Sequence, residues 1–198
     1  MRVGVLALQG DFALHAKALA RCGVEPVEVR KPEQLGGLDG LIIPGGESTT
    51  LLKLMDAWDF TPAIEEFHDE GKPIFGTCAG LILLARGVQS PSQPSLGLID
   101  IDVERNAYGR QRESFEVHGE ANLGRDVPVE MVFIRAPRIR RVGPGVKVLA
   151  RHGGEPVMAS EGSVLVATFH PELTDDSSVH RYYCRLVEEA SLTRSKTV

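Results

Sequence analysis

The chain has 198 residues, 42% of them hydrophobic, with 27 acidic and 22 basic side chains and a net charge of −5. That apolar content suffices for one domain with a real core, and the acidic balance speaks against a nucleic-acid binder. Three cysteines, Cys22, Cys78 and Cys184, show no C-x-x-C spacing, so neither a disulfide framework nor a zinc site is expected, and a reducing compartment fits.

Val3–Leu8 is a continuous apolar run of the kind buried on both faces of a parallel sheet. Gln9-Gly10-Asp11 follows it, which is not a cleavage-type region, and no apolar run approaches the about 18 residues of a membrane span. A cytoplasmic protein without membrane contact is expected. Asp11 can cap a helix with Phe12, Ala16, Leu19 and Cys22 on one face, which Gly23 stops. Strands at Pro26–Val29 and Leu41–Ile43 come next, the latter running into Pro44-Gly45-Gly46. Helices follow from about Ser48 and over Pro62–Glu70, then a strand at Pro73–Gly76 and a helix from Ala79 to Ala85.

The second half changes character. After the Ser-, Pro- and Gln-rich loop Gly87–Gly97 come short segments: Ile99–Arg105, Ser114–Val117, Met131–Arg135, Val146–Ala150, Pro156–Ala159 and Val164–Thr168. Gly and Pro separate them, and they read as antiparallel additions to the sheet. The basic clusters Arg138-Ile139-Arg140-Arg141 and Arg110-Gln111-Arg112 are short and read as solvated or partner-facing edges. A helix from Ser177 closes the chain. The pattern predicts a three-layer α/β/α domain with a mostly parallel central sheet, spanning residues 1–192, and a polar, frayed tail over 193–198.

Gly76-Thr77-Cys78-Ala79-Gly80 is the cysteine version of the G-x-S-x-G nucleophile elbow, a strand turning sharply into a helix with the nucleophile at its apex. A helix opening at Cys78 favours the thiolate. Far downstream, Phe169-His170-Pro171-Glu172 supplies a base and a carboxylate two residues apart. Pro171 favours an extended His170, which sets His170 and Glu172 on one side of the chain; direct contact depends on how the chain bends. Backbone N–H groups at Gly46, after the third strand, and at Ala79 are suited to an oxyanion hole. Cys22 and Cys184 read as core, and His15, His68, His118, His152 and His180 as surface or packing residues.

The ordered set Leu6-Ala7-Leu8-Gln9-Gly10, Pro44-Gly45-Gly46-Glu47-Ser48-Thr49-Thr50, Gly76-Thr77-Cys78-Ala79-Gly80, Arg105-Asn106-Ala107-Tyr108-Gly109-Arg110-Gln111, Phe133-Ile134-Arg135-Ala136-Pro137 and Phe169-His170-Pro171-Glu172 resembles the class I (triad) glutamine amidotransferases. Within that class it is similar to the glutaminase subunits of pyridoxal 5′-phosphate synthases. The resemblance covers nearly the whole chain and implies a flavodoxin-like core and a Cys78–His170–Glu172 triad acting on L-glutamine. It also implies substrate contacts at Gly46, Glu47, Ser48, Arg105, Ile134 and Arg135, and no cofactor or metal. The ammonia would pass to a separate (β/α)₈-barrel synthase subunit, with Gln9 and Gly10 coupling the two. Two alternatives stay open on the sequence. One is another enzyme on a similar scaffold, either the glutaminase of a different amidotransferase or a DJ-1/PfpI-like cysteine hydrolase, although in the latter group a histidine commonly follows the elbow cysteine and here Ala79 does. The other is a binding subunit that has kept the fold and lost the chemistry.

Overall fold

The computed structural model describes residues 1–105 and 114–195. In chain order the elements are β1 (Arg2–Leu6), α1 (Phe12–Arg21), β2 (Glu25–Val29), β3 (Gly40–Ile43), α2 (Ser48–Ala57), α3 (Phe60–Asp69), β4 (Ile74–Thr77), α4 (Ala79–Leu84), β5 (Ala85–Gln89) and β6 (Ile99–Glu104). They continue with β7 (Ser114–Asn122), β8 (Asp126–Ile134), β9 (Arg138–Val142), β10 (Lys147–His152), β11 (Glu155–Glu161), β12 (Val164–Ala167) and α5 (Ser178–Ser195). Single 3₁₀ turns occupy Pro32–Leu35 and Pro171–Leu173.

Nine strands form the main sheet in the order β2-β1-β3-β4-β12-β11-β10-β7-β8. Five of them, β2 through β12 in that order, run parallel, and the remaining pairings are antiparallel. The strands of the parallel part alternate between two apolar layers. Ile42, Phe75 and Leu165 face α1 and α5, where they pack with Leu19, Val179, Tyr183 and Val187. Leu41, Ile43, Ile74, Val164 and Val166 face the other way, against Leu51 and Met55 of α2, Phe60 and Ile64 of α3, and Leu81–Leu84 of α4. Runs such as Leu41-Ile42-Ile43 are apolar throughout because both faces are covered, so the expected α/β/α layering is present.

Several sequence expectations change in detail. Val164–Ala167 is parallel to β4, with Ala167 opposite Thr77, and inserts into the middle of the sheet. Ile99–Glu104 joins a separate three-stranded sheet, β5-β6-β9. That sheet uses Ala85–Gln89, expected to end a helix and begin a loop, and Arg138–Val142, expected to be a charged edge. Ile99, Ile101, Val103 and Ile139 turn inward to the core, while Asp100, Asp102 and Glu104 point outward to meet the arginines. Arg141 bonds both Asp102 and Asp100 at 2.6 Å, and Arg140 binds Glu104 and reaches Glu155 of β11 at 3.0 Å. The basic cluster is therefore neutralised inside the molecule by cross-strand charge pairing. Cluster Arg110-Gln111-Arg112 lies outside the described residues. At the C-terminus α5 extends through Ser195, so Thr193–Ser195 are helical where a frayed tail was expected.

Candidate active site

The site lies at the carboxyl ends of adjacent parallel strands, where open α/β sheets place their ligands. β4 delivers Cys78, which has φ 47° and ψ −101° as it turns into α4. This is the strained backbone of a nucleophile elbow, held by a 2.9 Å bond from Cys78 N–H to Ala167 C=O of β12. β12 delivers His170 two residues past Thr168. The His170 N–H is tied to Val132 C=O of β8 at 2.8 Å, so the antiparallel half braces the base.

The segment after His170 is not extended as expected. Pro171–Leu173 coils into a 3₁₀ turn, and that bend swings the Glu172 carboxylate back under the imidazole. His170 Nδ1 and Glu172 Oε1 are 2.7 Å apart, both side chains buried. Burial pushes the Glu172 pKa up, but His15 and His170 outweigh it and hold it at about 2. For His170 burial pulls the pKa down, and hydrogen bonding with Cys78 and Glu172 more than reverses this, raising it to about 10. Cys78 and His170 face the same cavity, with the Cys78 thiol 4.0 Å from the Ile134 carbonyl it donates to.

β3 delivers the glycine turn. A Cβ on Gly45 would stand 2.4 Å from His170 Cε1 and 3.4 Å from Cys78 Cβ, so only glycine lets the backbone approach the reacting pair this closely. Its carbonyl in turn packs on Gly10, where a Cβ would fall 1.8 Å from Gly45 O. Gln9 Oε1 accepts the Glu47 N–H at 3.0 Å, so the Gln9-Gly10 loop clamps the turn from the β1 side. Glu47 caps α2, accepting the N–H groups of Thr49 and Thr50 at 3.2 and 2.7 Å. Hydrogen bonds, led by the one from the Thr49 hydroxyl, outweigh burial and hold the Glu47 carboxyl at about 2.

A cavity of about 290 Å³ opens above Cys78 and His170. Its walls carry Gln9, Gly46, Glu47, Ser48, Arg105, Ile134 and Arg135, which brings the expected substrate residues to one place with Gln9, while Gly10 packs behind the turn against Gly45. Arg105 Nη2 stands 3.5 Å from Glu47 Oε1. Ser48 is buried and its hydroxyl donates to Gln93 Oε1 at 3.0 Å. Ala79 follows Cys78 at the start of α4. Arg135, just past β8, has φ 43°, a left-handed conformation rare for a non-glycine residue. The remainder of the Arg105–Gln111 motif, Asn106–Gln111, lies outside the described residues.

Asp11 was expected to cap α1, but its side chain makes no capping bond. Its carboxylate instead stands 4.0 Å from His170 Nδ1. Asp11, His170 and Glu172 bring three ligand-type atoms within 4.8 Å of one another, although Nδ1 and Oε1 are already bonded to each other. The largest departures are His15 and His180. Neither is a surface residue: both are fully buried behind Glu172, His15 Nε2 being 3.3 Å from Glu172 Oε2. His152 does pack, against Phe115 and Phe133. Cys184 is buried and Cys22 half-buried. No described helix is long and apolar enough to cross a membrane.

A cysteine on a strained elbow, a buried imidazole–carboxylate pair and a side-chain-free turn beside them make an arrangement suited to nucleophilic attack on a carbonyl carbon. The sequence profile of the SNO glutamine amidotransferase family matches residues 5–189, and the chain belongs to that family. Among its curated relatives is the pyridoxal 5′-phosphate synthase subunit PdxT of Desulforamulus reducens, 52% identical over 95% of this chain and 100% of that one. The protein of the same name from Solibacter usitatus is 56% identical over 92% and 97%. A solved glutamine amidotransferase superposes with a TM-score of 0.88 at 51% identity, covering 94% of this chain and 98% of that one. A solved protein of Thermoplasma acidophilum, described as part of a GMP synthase, shares the fold at 16% identity and TM-score 0.70 over 98% of both chains.

Proposed function

We propose that the chain is the glutaminase subunit of a pyridoxal 5′-phosphate synthase, hydrolysing L-glutamine to L-glutamate and ammonia through Cys78, His170 and Glu172. The observation that carries this reading is the buried 2.7 Å His170–Glu172 pair beside the elbow cysteine, and the family membership and the names of the relatives supply the substrate and the assembly. The Cys78 thiolate attacks the γ-carboxamide carbon, and N–H groups of Gly46 and Ala79 receive the developing oxyanion. Such a donor is worth about 2.7–4 kcal/mol in the transition state. His170 gives its proton to the departing ammonia, leaving a γ-glutamyl thioester. It then takes a proton from the water that cleaves the thioester, while Glu172 holds the ring's tautomer and supports its charge. Arg105 and Arg135 offer cations to the α-carboxylate, Glu47 offers an anion to the α-ammonium, and Ser48 and Ile134 complete the wall.

The ammonia passes to a separate synthase subunit, which the resemblance makes a (β/α)₈ barrel. Gln9 is placed to report its docking, since it holds Glu47 N–H and overlies Gly46; a partner needs only to bind the competent form of that turn better. Ammonia release from glutamine, measured with and without saturating synthase subunit, tests both ideas. Cys78→Ala abolishes turnover while leaving the fold and partner binding intact, and near-wild-type release from it sinks the triad. Wild-type turnover rises when the partner is added, and Gln9→Ala loses most of that rise. Equal wild-type rates with and without partner would remove the coupling role.

A further inference from the structure

The second carboxylate oxygen of Glu172 leads to a pair of histidines that the triad does not use. His15 stands on the first turn of α1 and His180 on the first turn of α5, both with 0% exposure, and neither lines the cavity above Cys78. His15 Nε2 is 3.1 Å from Thr77 Oγ1 and 3.3 Å from Glu172 Oε2, while its Nδ1 is 3.0 Å from His180 Nε2. One proton lies between the two facing ring nitrogens, so the tautomer of each ring dictates that of the other.

Only two arrangements of neutral rings exist. In the first, His15 carries its proton on Nδ1 and donates to His180, which turns a nitrogen lone pair toward Glu172 Oε2. That sets two lone pairs 3.3 Å apart, next to an ionised carboxylate in a water-free interior, where an unpaired polar atom is costly. In the second, His180 Nε2–H donates to His15 Nδ1, and His15 Nε2–H donates to Thr77 Oγ1 while turning its positive end toward Glu172 Oε2 at 3.3 Å. The ring nitrogen then left bare is His180 Nδ1, the end of the chain of contacts farthest from the carboxylate. Neither His180 Nδ1 nor Glu172 Oε2 has a hydrogen-bond partner among the described residues; what faces Oε2 is the edge of the His15 ring, Nε2 standing 3.3 Å away, beyond the length of a well-formed bond. Burial lowers the pKa of both rings, that of His180 to about 3, so at neutral pH both are uncharged donors rather than proton stores.

We propose that His15 is a positioning residue of the glutaminase, its Nε2–H fixing the Glu172 carboxylate that orients His170, with His180 fixing the tautomer of His15. The inference rests on the triad proposed above. It also explains why Thr77 is in the contact. His15 ties the residue before the nucleophile to the carboxylate behind the base, so the two arms of the site, which come from different strands, share one brace.

Nitrogen-15 NMR of histidine-labelled wild-type protein reads the tautomers directly. The expected result is a proton on Nε2 of both His15 and His180 at pH 7, and a proton on Nδ1 of His15 overturns the proposal. Glutaminase kinetics of the assembled synthase supply the second arm. His15→Leu lowers kcat about tenfold or more, because a buried carboxylate oxygen loses the N–H dipole that faces it at 3.3 Å, and leaves KM within about twofold, because His15 does not touch the cavity. His15→Gln, which keeps an N–H at the same reach, recovers most of kcat. Unchanged kcat in a folded His15→Leu protein, or a His15→Gln protein as slow as His15→Leu, also overturns it. If Cys78→Ala keeps full activity the triad itself is wrong, whereas a wrong tautomer removes the brace and leaves the triad standing.

Discussion

The parallel and antiparallel halves of the main sheet divide the site between them. The loops after β1, β3, β4 and β12 bring Gln9, Gly45-Gly46, Cys78 and His170 together, and those four strands are direct neighbours in the sheet. Ladder hydrogen bonds fix their register, so groups placed one to three residues past each strand end converge without further adjustment. Ile134 and Arg135 come instead from the far end of the β7–β8 hairpin, and Arg105 from just past β6 of the small sheet. Those residues wall the cavity, and Ile134 alone of the three is recorded against a proposed triad member, its C=O accepting from Cys78 Sγ at 4.0 Å. On the proposed reading, chemistry sits where backbone pairing sets position, and substrate grip sits where side-chain packing sets it.

If that division is real, a change in the parallel half strikes turnover and one in the outer wall strikes binding. The largest effect is expected from Gly45→Ala. Its Cβ would meet the His170 ring at 2.4 Å, so the imidazole must move, and a misplacement of about 1 Å is worth on the order of a hundredfold in rate. A kcat loss of that size with an intact fold is the expected result; activity within a few-fold of wild type would show the turn to be looser than the packing implies. Arg105→Gln comes next. It removes a cation held beside Glu47 at 3.5 Å, so KM for glutamine rises about tenfold or more and kcat stays within about threefold. Steady-state kinetics separate the two outcomes, and a kcat-dominated loss at Arg105 would break the division.

The same contrast explains how much could be read from the residues alone. The parallel half announces itself: Leu41-Ile42-Ile43 is apolar on both faces, Pro44-Gly45-Gly46 ends it, and the elbow spells out its own turn. The proposed triad was legible because Cys78 and His170-Pro171-Glu172 carry local motifs. The direction of β12 was not, because an apolar run records burial and says nothing about which way its neighbour points. The small sheet was hidden since each of its strands is short. Yet Asp100, Asp102 and Glu104 alternate with Ile99, Ile101 and Val103, and this could have been matched to the arginines of residues 138–141. His15 gave no local sign at all; its partner His180 lies 165 residues away, and a lone histidine on a helix reads as surface until tertiary packing closes over it.

A smaller effect, on stability rather than rate, follows from the buried groups under the parallel half. His15 and His180 have lowered pKa values, owing first to burial: for His15 the nearby His170 lowers it further while Glu172 and Asp11 oppose, and for His180 the nearby His15 and Arg21 lower it further while Glu172 and Asp176 oppose. Below about pH 6.5 the unfolded chain therefore binds protons that the folded one refuses, and stability falls as pH falls. Glu172, at about 2, adds to the loss in the same direction below about pH 4.5. His170, raised to about 10, works the other way: its contribution is complete below about pH 6.5 and disappears as pH rises through 10. The unfolding midpoint is expected to peak near pH 6–7. A midpoint still climbing from pH 7 to 9 would mean that His170 is not held as a cation in the resting protein.

The smallest effect belongs to the outer face of the small sheet. Arg141 is ion-paired with Asp100 and Asp102 at 2.6 Å, yet its side chain is 43% exposed. Attraction between such groups is weakened by water and by the entropy of fixing a long side chain, and salt screens what is left. Arg141→Gln should therefore move the unfolding midpoint by no more than about 3 °C at low salt and by less at 1 M salt. The hydrogen bonds around Glu172 lie out of reach of ions, so the His15→Leu deficit in kcat should be the same at both salt concentrations. Thermal melts and rates measured across a salt series test the pair together. A large, salt-resistant loss at Arg141 would make the ladder a structural element on a par with the buried network, and the charged strand β9 would then be part of what holds Arg105 at the cavity wall.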